Sequence, residues 1–352
     1  MSEPGADWHL VVAGSLRQQT GGYLYDARIV DSLRRRGRNM AVHELAGRFP
    51  HPDQAAAESL DACLQSLPDQ SLAVLDGLAG GAQPDVVRRH ADRLRLIALV
   101  HHLLADESGL TPAQSLELLR REQDQLQLCR GCIVTSPTTR QRVQAVIGEV
   151  LPLEVVIPGI RKHPAAEPNP ETAPQILNVG SLVPRKAQHV LVEALAQLVE
   201  LDWQCHLVGS PERDRDYAAL VRERIGATGL QSRVNLHGEL DEPALSARFQ
   251  CASVFVLPSL HEGYGMVLTE AMARGLPVVA TTGGAIPDTV PEGAGILVPP
   301  ADPDALAAAL RRCLLDPALR CRLSAAALAH AAALPGWEQT ADHFAAALET
   351  LA

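Results

Sequence analysis

The sequence predicts an α/β protein made of two doubly wound parallel sheets, each Rossmann-like. Three observations predict it. Short apolar runs suited to buried strands alternate with helical periodicity along the chain. A proline-rich stretch without periodicity, 161–174, interrupts that alternation near the middle. At 352 residues the chain is long enough for about two domains, each with its own core. Residues 1–160 are therefore expected to form one domain and 175–335 a second, with 161–174 as linker and 336–352 as a closing helix packed back on the first. Open parallel sheets bind ligands beyond the C-terminal ends of their strands, so two such domains facing each other imply a cleft between them.

The strand candidates of the first half are 9–14, 41–45, 72–77, 96–101, 132–136 and 153–159. The second half repeats the pattern with QILNVGSL, CHLVGS, RVNLHG, SVFVLPS, LPVVAT and GILVPP. Most are short runs dominated by apolar residues, as expected of strands in a covered parallel sheet. Helices are expected between them. One covers about 23–36, where Leu24, Ala27, Val30 and Leu33 recur at three-residue spacing and Gly37 stops the run. Another starts at Thr111-Pro112, an N-cap followed by a first-turn proline. Alanine-rich helices fill 303–333, and Trp337 opens the last one.

Bulk composition removes several function classes. A hydrophobic fraction of 47% with 20% charged residues describes a globular chain. The formal charge of −10 opposes non-specific nucleic-acid binding, and 3% aromatics leave little to stack bases on. No run of about 18 apolar residues is present. The acidic N-terminus MSEPGADWHLVVAG lacks a signal-peptide pattern, so a cytoplasmic protein is expected. Seven cysteines read as reduced thiols, and Cys129 and Cys132, in an isolated CRGC, read as small buried hydrophobes. GxSxG, HExxH and GxxxxGK[ST] are all absent.

The most informative stretch is HEGYGMVLTEAMARGLPVVAT, 261–281. Glu262 falls on a loop after a strand, Gly263 and Gly265 tighten that loop, and a helix MVLTEAMAR follows with Gly275 as its stop. The backbone N–H groups of Met266 and Val267 then open a helix, where an anion is favoured. Glu270 lies about one turn inside and suits the hydroxyls of a ribose better than a phosphate. The pair lacks a third ligand at metal spacing. In VGSLVPRKAQHVLVEAL, Arg185 and Lys186 occupy the first βα turn of the second sheet, where a diphosphate clamp competes with a solvated surface pair. Gly21-Gly22 precedes the first helix without forming GxGxxG, and His101 and His102 end a buried strand, as site residues or as simple caps. DRD at 214–216 and DPD at 302–304 match a short acidic metal motif, but both stand at helix starts and read as caps. The basic run LRRRGR, 33–38, reads as a solvated helix end, with peripheral contact to an anionic membrane as the alternative.

Taken together, these residues resemble the retaining glycosyltransferases of family 4, which have the GT-B architecture. Glu262 and Glu270 match the family's E-x7-E element, and VGSLVPRK, VNLHGEL, TTGGAIPD and GAGILVPPADPDALAAAL match its surroundings. The resemblance spans the C-terminal half and is looser in the first half. It implies transfer of a hexosyl group from a UDP- or GDP-linked sugar to an acceptor hydroxyl, with retention and without a metal or other cofactor. By that likeness Glu262 approaches the donor sugar, Glu270 holds the ribose, and Lys186 with Arg185 neutralises the diphosphate. Gly263, Tyr264, Gly265, Met266 and Val267 line sugar and phosphate, while Gly209 and Gly238 to Leu240 border the base. Gly22, beside Gly21, lets a loop close on the diphosphate, and His101 contacts the sugar. The acceptor, whether glycan, lipid or small molecule, is left unassigned. Ser181 departs from the pattern, since many members carry an arginine there, and Arg185 is the compensating candidate. A nucleotide-sugar epimerase or a non-catalytic nucleotide-sugar-binding subunit are the alternatives.

Overall fold

The computed structural model describes residues 8–352. Residues 1–7, part of the N-terminal segment read above as lacking a signal peptide, lie outside them. The chain divides into two compact units. One holds the described residues up to Gly159 together with Pro335–Ala352, and the other holds Ile160–Leu334.

The first unit carries β1 (Trp8–Ala13), β2 (Met40–Leu45), β3 (Leu72–Asp76), β4 (Arg95–Val100), β5 (Gly131–Val134) and β6 (Leu153–Val155). They form one parallel sheet in the order β2-β1-β3-β4-β5-β6. The order reverses between β1 and β3, so the loops after these two strands diverge and leave room at the strand ends. The helix Gly21–Arg35 follows β1 and buries Tyr25, Ile29 and Leu33. The C-terminal helix Trp337–Leu351 packs against it, with Trp337 and Phe344 both edge-on to the Tyr25 ring at 5.9 and 6.5 Å.

The basic run at the end of helix Gly21–Arg35 is occupied within the unit. Arg36 pairs with Asp342 and Arg38 with Glu349, while Arg34 and Arg35 donate to Met40 O and Ser32 Oγ. Arg36 and Arg38 stay about half exposed in these pairs, as a solvated helix end should. No described helix is long and apolar enough to cross a membrane.

The second unit carries β7 (Gln175–Val179), β8 (Gln204–Val208), β9 (Val234–Leu236), β10 (Val254–Leu257), β11 (Val278–Thr281) and β12 (Gly295–Val298). Its parallel order is β12-β11-β10-β7-β8-β9, reversing between β7 and β10. All twelve strands expected from the apolar runs are present. Helices predicted over 303–333 are two, Pro303–Leu315 and Pro317–Ala333, and Asp302 caps the first through Ala305 N at 2.9 Å. Asp214 likewise caps Arg215–Ala227 through Tyr217 N at 2.9 Å. Both acidic motifs are therefore helix caps. The proline-rich stretch is held on the second unit, with Ala166 N donating to Arg274 O and Glu167 N to Gln250 O. Cys129 and Cys132 are buried free thiols, and burial pushes Cys129 up to about 12.

Candidate active site

In the second unit, the loops after β7 and β10 meet because those strands are neighbours at the reversal point. The first loop ends in a short 3-10 turn, Pro184–Lys186, and the second carries His261 to Gly265. A backbone bond from Leu260 N to Arg185 O, 2.8 Å, ties them together. Across this junction Lys186 Nζ donates to Glu262 Oε1 at 2.6 Å. Arg185 Nη1 donates to Glu262 Oε2 at 3.3 Å and to His261 O at 2.8 Å. Glu262 is only 6% exposed. Burial alone would raise its carboxyl, but Lys186 first and Arg185 second outweigh it and bring the carboxyl to about 2. Lys186 and Glu262, 76 positions apart, thus join Arg185 in one largely buried ionic cluster.

A second loop braces Glu262 from behind. Ala285 N donates to Glu262 O at 2.8 Å, and Gly284 pairs with Glu262 in a parallel bridge. Thr281 Oγ1 donates to Ser259 O and Thr289 Oγ1 to Tyr264 O. Gly283 and Gly284 had no assigned role in the sequence reading, although TTGGAIPD was among the matching phrases. Their signal was a glycine pair directly after a buried strand.

Gly265 caps the helix Met266–Ala273, so Met266 and Val267 occupy its first turn and Glu270 its second. Glu270 is half-buried on that helix, one turn beyond the glycines. Gly209 and Gly238 stand at the ends of β8 and β9, joined by Gly209 N to Gly238 O at 2.8 Å. Leu240 follows on the same edge and packs against the core beneath β10. Ser181 uses its backbone oxygen to accept from Gln188 Nε2 at 3.0 Å.

In the first unit, His101 follows β4 and faces two carboxylates. Its Nε2 lies 3.1 Å from Asp26 Oδ1 and 3.6 Å from Asp76 Oδ2. Asp26 comes from the helix after β1 and Asp76 from the end of β3, so this cluster straddles that sheet's reversal point. A Cβ on Gly22 would come within 3.0 Å of the His101 ring, so the glycine makes room for the imidazole. Gly21 beside it is exposed, and a Cβ added there would meet nothing within 4 Å. The ligating atoms of Asp26, Asp76 and His101 lie within 4.8 Å of one another, which a metal could use. Proton sharing between imidazole and carboxylate accounts for the same spacing. Neither aspartate was singled out from sequence, because Asp26 sits mid-helix where an acid normally faces water.

Burial opposes a charge on His101, yet Asp26, by charge and hydrogen bond, and then Asp76 raise its pKa above the ordinary value. Burial and the Asp26 charge raise Asp76 to about 7. Both groups bind protons more tightly when folded, so stability falls as pH rises through and beyond neutrality. Asp26→Asn removes the charge that raises both. Its Tm between pH 6 and 9 should vary less steeply than that of the wild type, and an unchanged slope would remove Asp26 from this network.

Residues 159–330 match the family described as Glycosyl transferases group 1. That match takes in 172 of the 352 residues, just under half of the chain. Among curated relatives, the D-inositol 3-phosphate glycosyltransferase of Streptomyces griseus is 36% identical over 191 residues. That match covers 51% of this chain and 40% of the relative. The GDP-mannose-dependent monoacylated alpha-(1-6)-phosphatidylinositol monomannoside mannosyltransferase of Corynebacterium glutamicum is 34% identical over 48% of this chain and 45% of its own. The chain spans about half the length of the curated relatives it matches. Among solved structures, sucrose-phosphate synthase from Thermosynechococcus elongatus superposes with a TM-score of 0.83 at 24% identity, covering 97% of this chain and 98% of that one. Anabaena HepE in complex with UDP and glucose gives 0.76 at 18% identity, covering 97% and 100%. The fold is therefore GT-B, as the sequence predicts.

Proposed function

We propose that the chain is a retaining glycosyltransferase that moves a hexosyl group from a nucleotide-diphosphate sugar to an acceptor hydroxyl without a metal. The observation that carries this is the cluster of Lys186 and Arg185 on Glu262 at the β7/β10 reversal point, beside the start of helix Met266–Ala273. Two cations and a helix N-terminus can together receive a diphosphate. The leaving diphosphate gains charge as the glycosidic bond breaks, and these groups, once drawn to it, stabilise that charge. An oxocarbenium-like sugar then meets the acceptor on the face the diphosphate leaves, and the departing phosphate takes the acceptor's proton. No enzyme nucleophile is needed, so Glu262 binds sugar hydroxyls and is not half of a glycosidase pair. Glu270 holds the ribose, and Gly209, Gly238 and Leu240 border the base.

The test is a thermal-shift panel of UDP- and GDP-linked hexoses followed by turnover assays with chelator present. A ligand well above its Kd raises Tm by mass action. A responder that is consumed with EDTA present supports the reading. A responder that is bound but never turned over favours the non-catalytic subunit, and loss of turnover with EDTA removes metal independence. Relatives named for inositol phosphate and for a phosphatidylinositol mannoside make soluble and lipid-linked polyols the acceptors to try first. Glu270→Ala should raise the donor Kd by roughly tenfold while kcat changes little, because ribose contacts barely differ between ground and transition states. A fall in kcat alone would contradict that role.

A further inference from the structure

Glu262 holds the two cations that the proposed function gives to the diphosphate. One carboxylate oxygen takes Lys186 at 2.6 Å and the other takes Arg185 at 3.3 Å. The carboxylate is nearly sealed from water, at 6% exposure, so solvent offers it little replacement. An incoming diphosphate draws both cations toward its own oxygens and leaves Glu262 with less compensation. A buried carboxylate stripped of its partners is unfavourable. Sugar hydroxyls can restore what the cations withdraw, since a hydroxyl donates well to an ionised carboxylate. A bare nucleoside diphosphate brings no such donors.

We propose that Glu262 is a specificity-determining residue that makes this site prefer an intact nucleotide sugar over the bare nucleoside diphosphate. The inference rests on the donor-site reading above. Its physical content is an exchange: the cations pass from carboxylate to phosphate while the carboxylate passes from cations to sugar hydroxyls. When the sugar has been transferred, the hydroxyl donors leave and Glu262 competes again for Lys186 and Arg185. The product nucleotide is then expelled by the residue that helped to hold the substrate. Selectivity arises from a group left unpaired in the wrong complex.

Calorimetry on the full chain tests this, with UDP, UDP-glucose, GDP and GDP-mannose as probes and Glu262→Gln as the variant. The glutamine keeps the shape but no longer competes for the cations as an anion. For whichever nucleotide responds, the wild type should bind the sugar-linked form roughly tenfold or more tighter than the bare diphosphate. In Glu262→Gln the bare diphosphate should bind roughly tenfold tighter than it does to the wild type, and the preference for the sugar form should shrink toward unity. Circular dichroism checks the fold, and Glu262→Ala, expected to change affinities in the same direction, serves if the glutamine variant does not fold. Unchanged or weaker binding of the bare diphosphate in a folded variant overturns the proposal while leaving the donor-site reading in place. Failure of the wild type to bind any of the four probes overturns both.

Discussion

Lys186→Ala is expected to lower turnover by about two to three decades while the chain still folds. Lys186 lies on a short turn outside the hydrophobic core, so its loss opens no apolar cavity. The exposed cost falls on Glu262, which keeps Arg185 at 3.3 Å but loses its closer partner at 2.6 Å. Removing one member of a buried ion pair commonly costs about 3–5 kcal/mol. Arg185 remains beside the carboxylate, which places the loss toward or below the low end of that range. On the chemical step the arithmetic is larger. A cation about 4 Å from developing negative charge contributes on the order of 4 kcal/mol at an effective dielectric near 20. That is nearly three decades of rate, part of which Arg185 and the amides of Met266 and Val267 retain. Steady-state kcat with the responding nucleotide sugar, read beside circular dichroism, decides the matter. Near-normal kcat in a folded variant removes Lys186 from the mechanism.

How much of this was legible depends on sequence separation. Parallel strands covered on both faces read as apolar runs, so even Leu153–Val155 and Val234–Leu236, three residues each, were found inside longer runs. The residue types at the candidate site were also legible, since loop glycines, a helix start and a cation pair are local patterns. Their pairing was not. Glu262 and Lys186 meet because β7 and β10 are adjacent across the order reversal, and strand order is not written in any one segment. Sequence reading accordingly gave Glu262 to the sugar and Lys186 to the phosphate as separate contacts. The fold shows them bonded to each other. Asp26 and Asp76 escaped notice for the same reason, since only the helix after β1 and the end of β3 together bring them to His101. The basic run 33–38 is exposed, as a solvated helix end should be, but its pairing was not legible, because partners for Arg36 and Arg38 arrive from a helix more than 300 positions later.

Gly284→Ala should cost stability and activity together, and Gly293→Ala separates the causes. Both glycines have positive φ, +61° and +86°, a region where a side chain is strained by about 1–2 kcal/mol. At Gly293 nothing lies within 4 Å of an added Cβ, so the backbone strain is the whole effect. At Gly284 that Cβ would stand 2.3 Å from Glu262 O and 2.8 Å from Glu262 N. Backbone, unlike the tip of a flexible side chain, cannot step aside without moving the residue that carries the carboxylate. Overpacking of this kind typically adds about 1–3 kcal/mol. The Gly284 variant should therefore lose roughly 2–5 kcal/mol in all, or about 4–20 °C in Tm at 2–4 °C per kcal/mol for a unit of this size. Gly293→Ala should lose only a few degrees and keep its turnover. If the two variants melt alike, the bridge between Gly284 and Glu262 does not brace the site. If Gly284→Ala melts early but its surviving folded fraction turns over normally, the bridge serves stability alone. Loss of both is the expected outcome, because the contact that holds the loop also sets the reach of Glu262 toward Lys186.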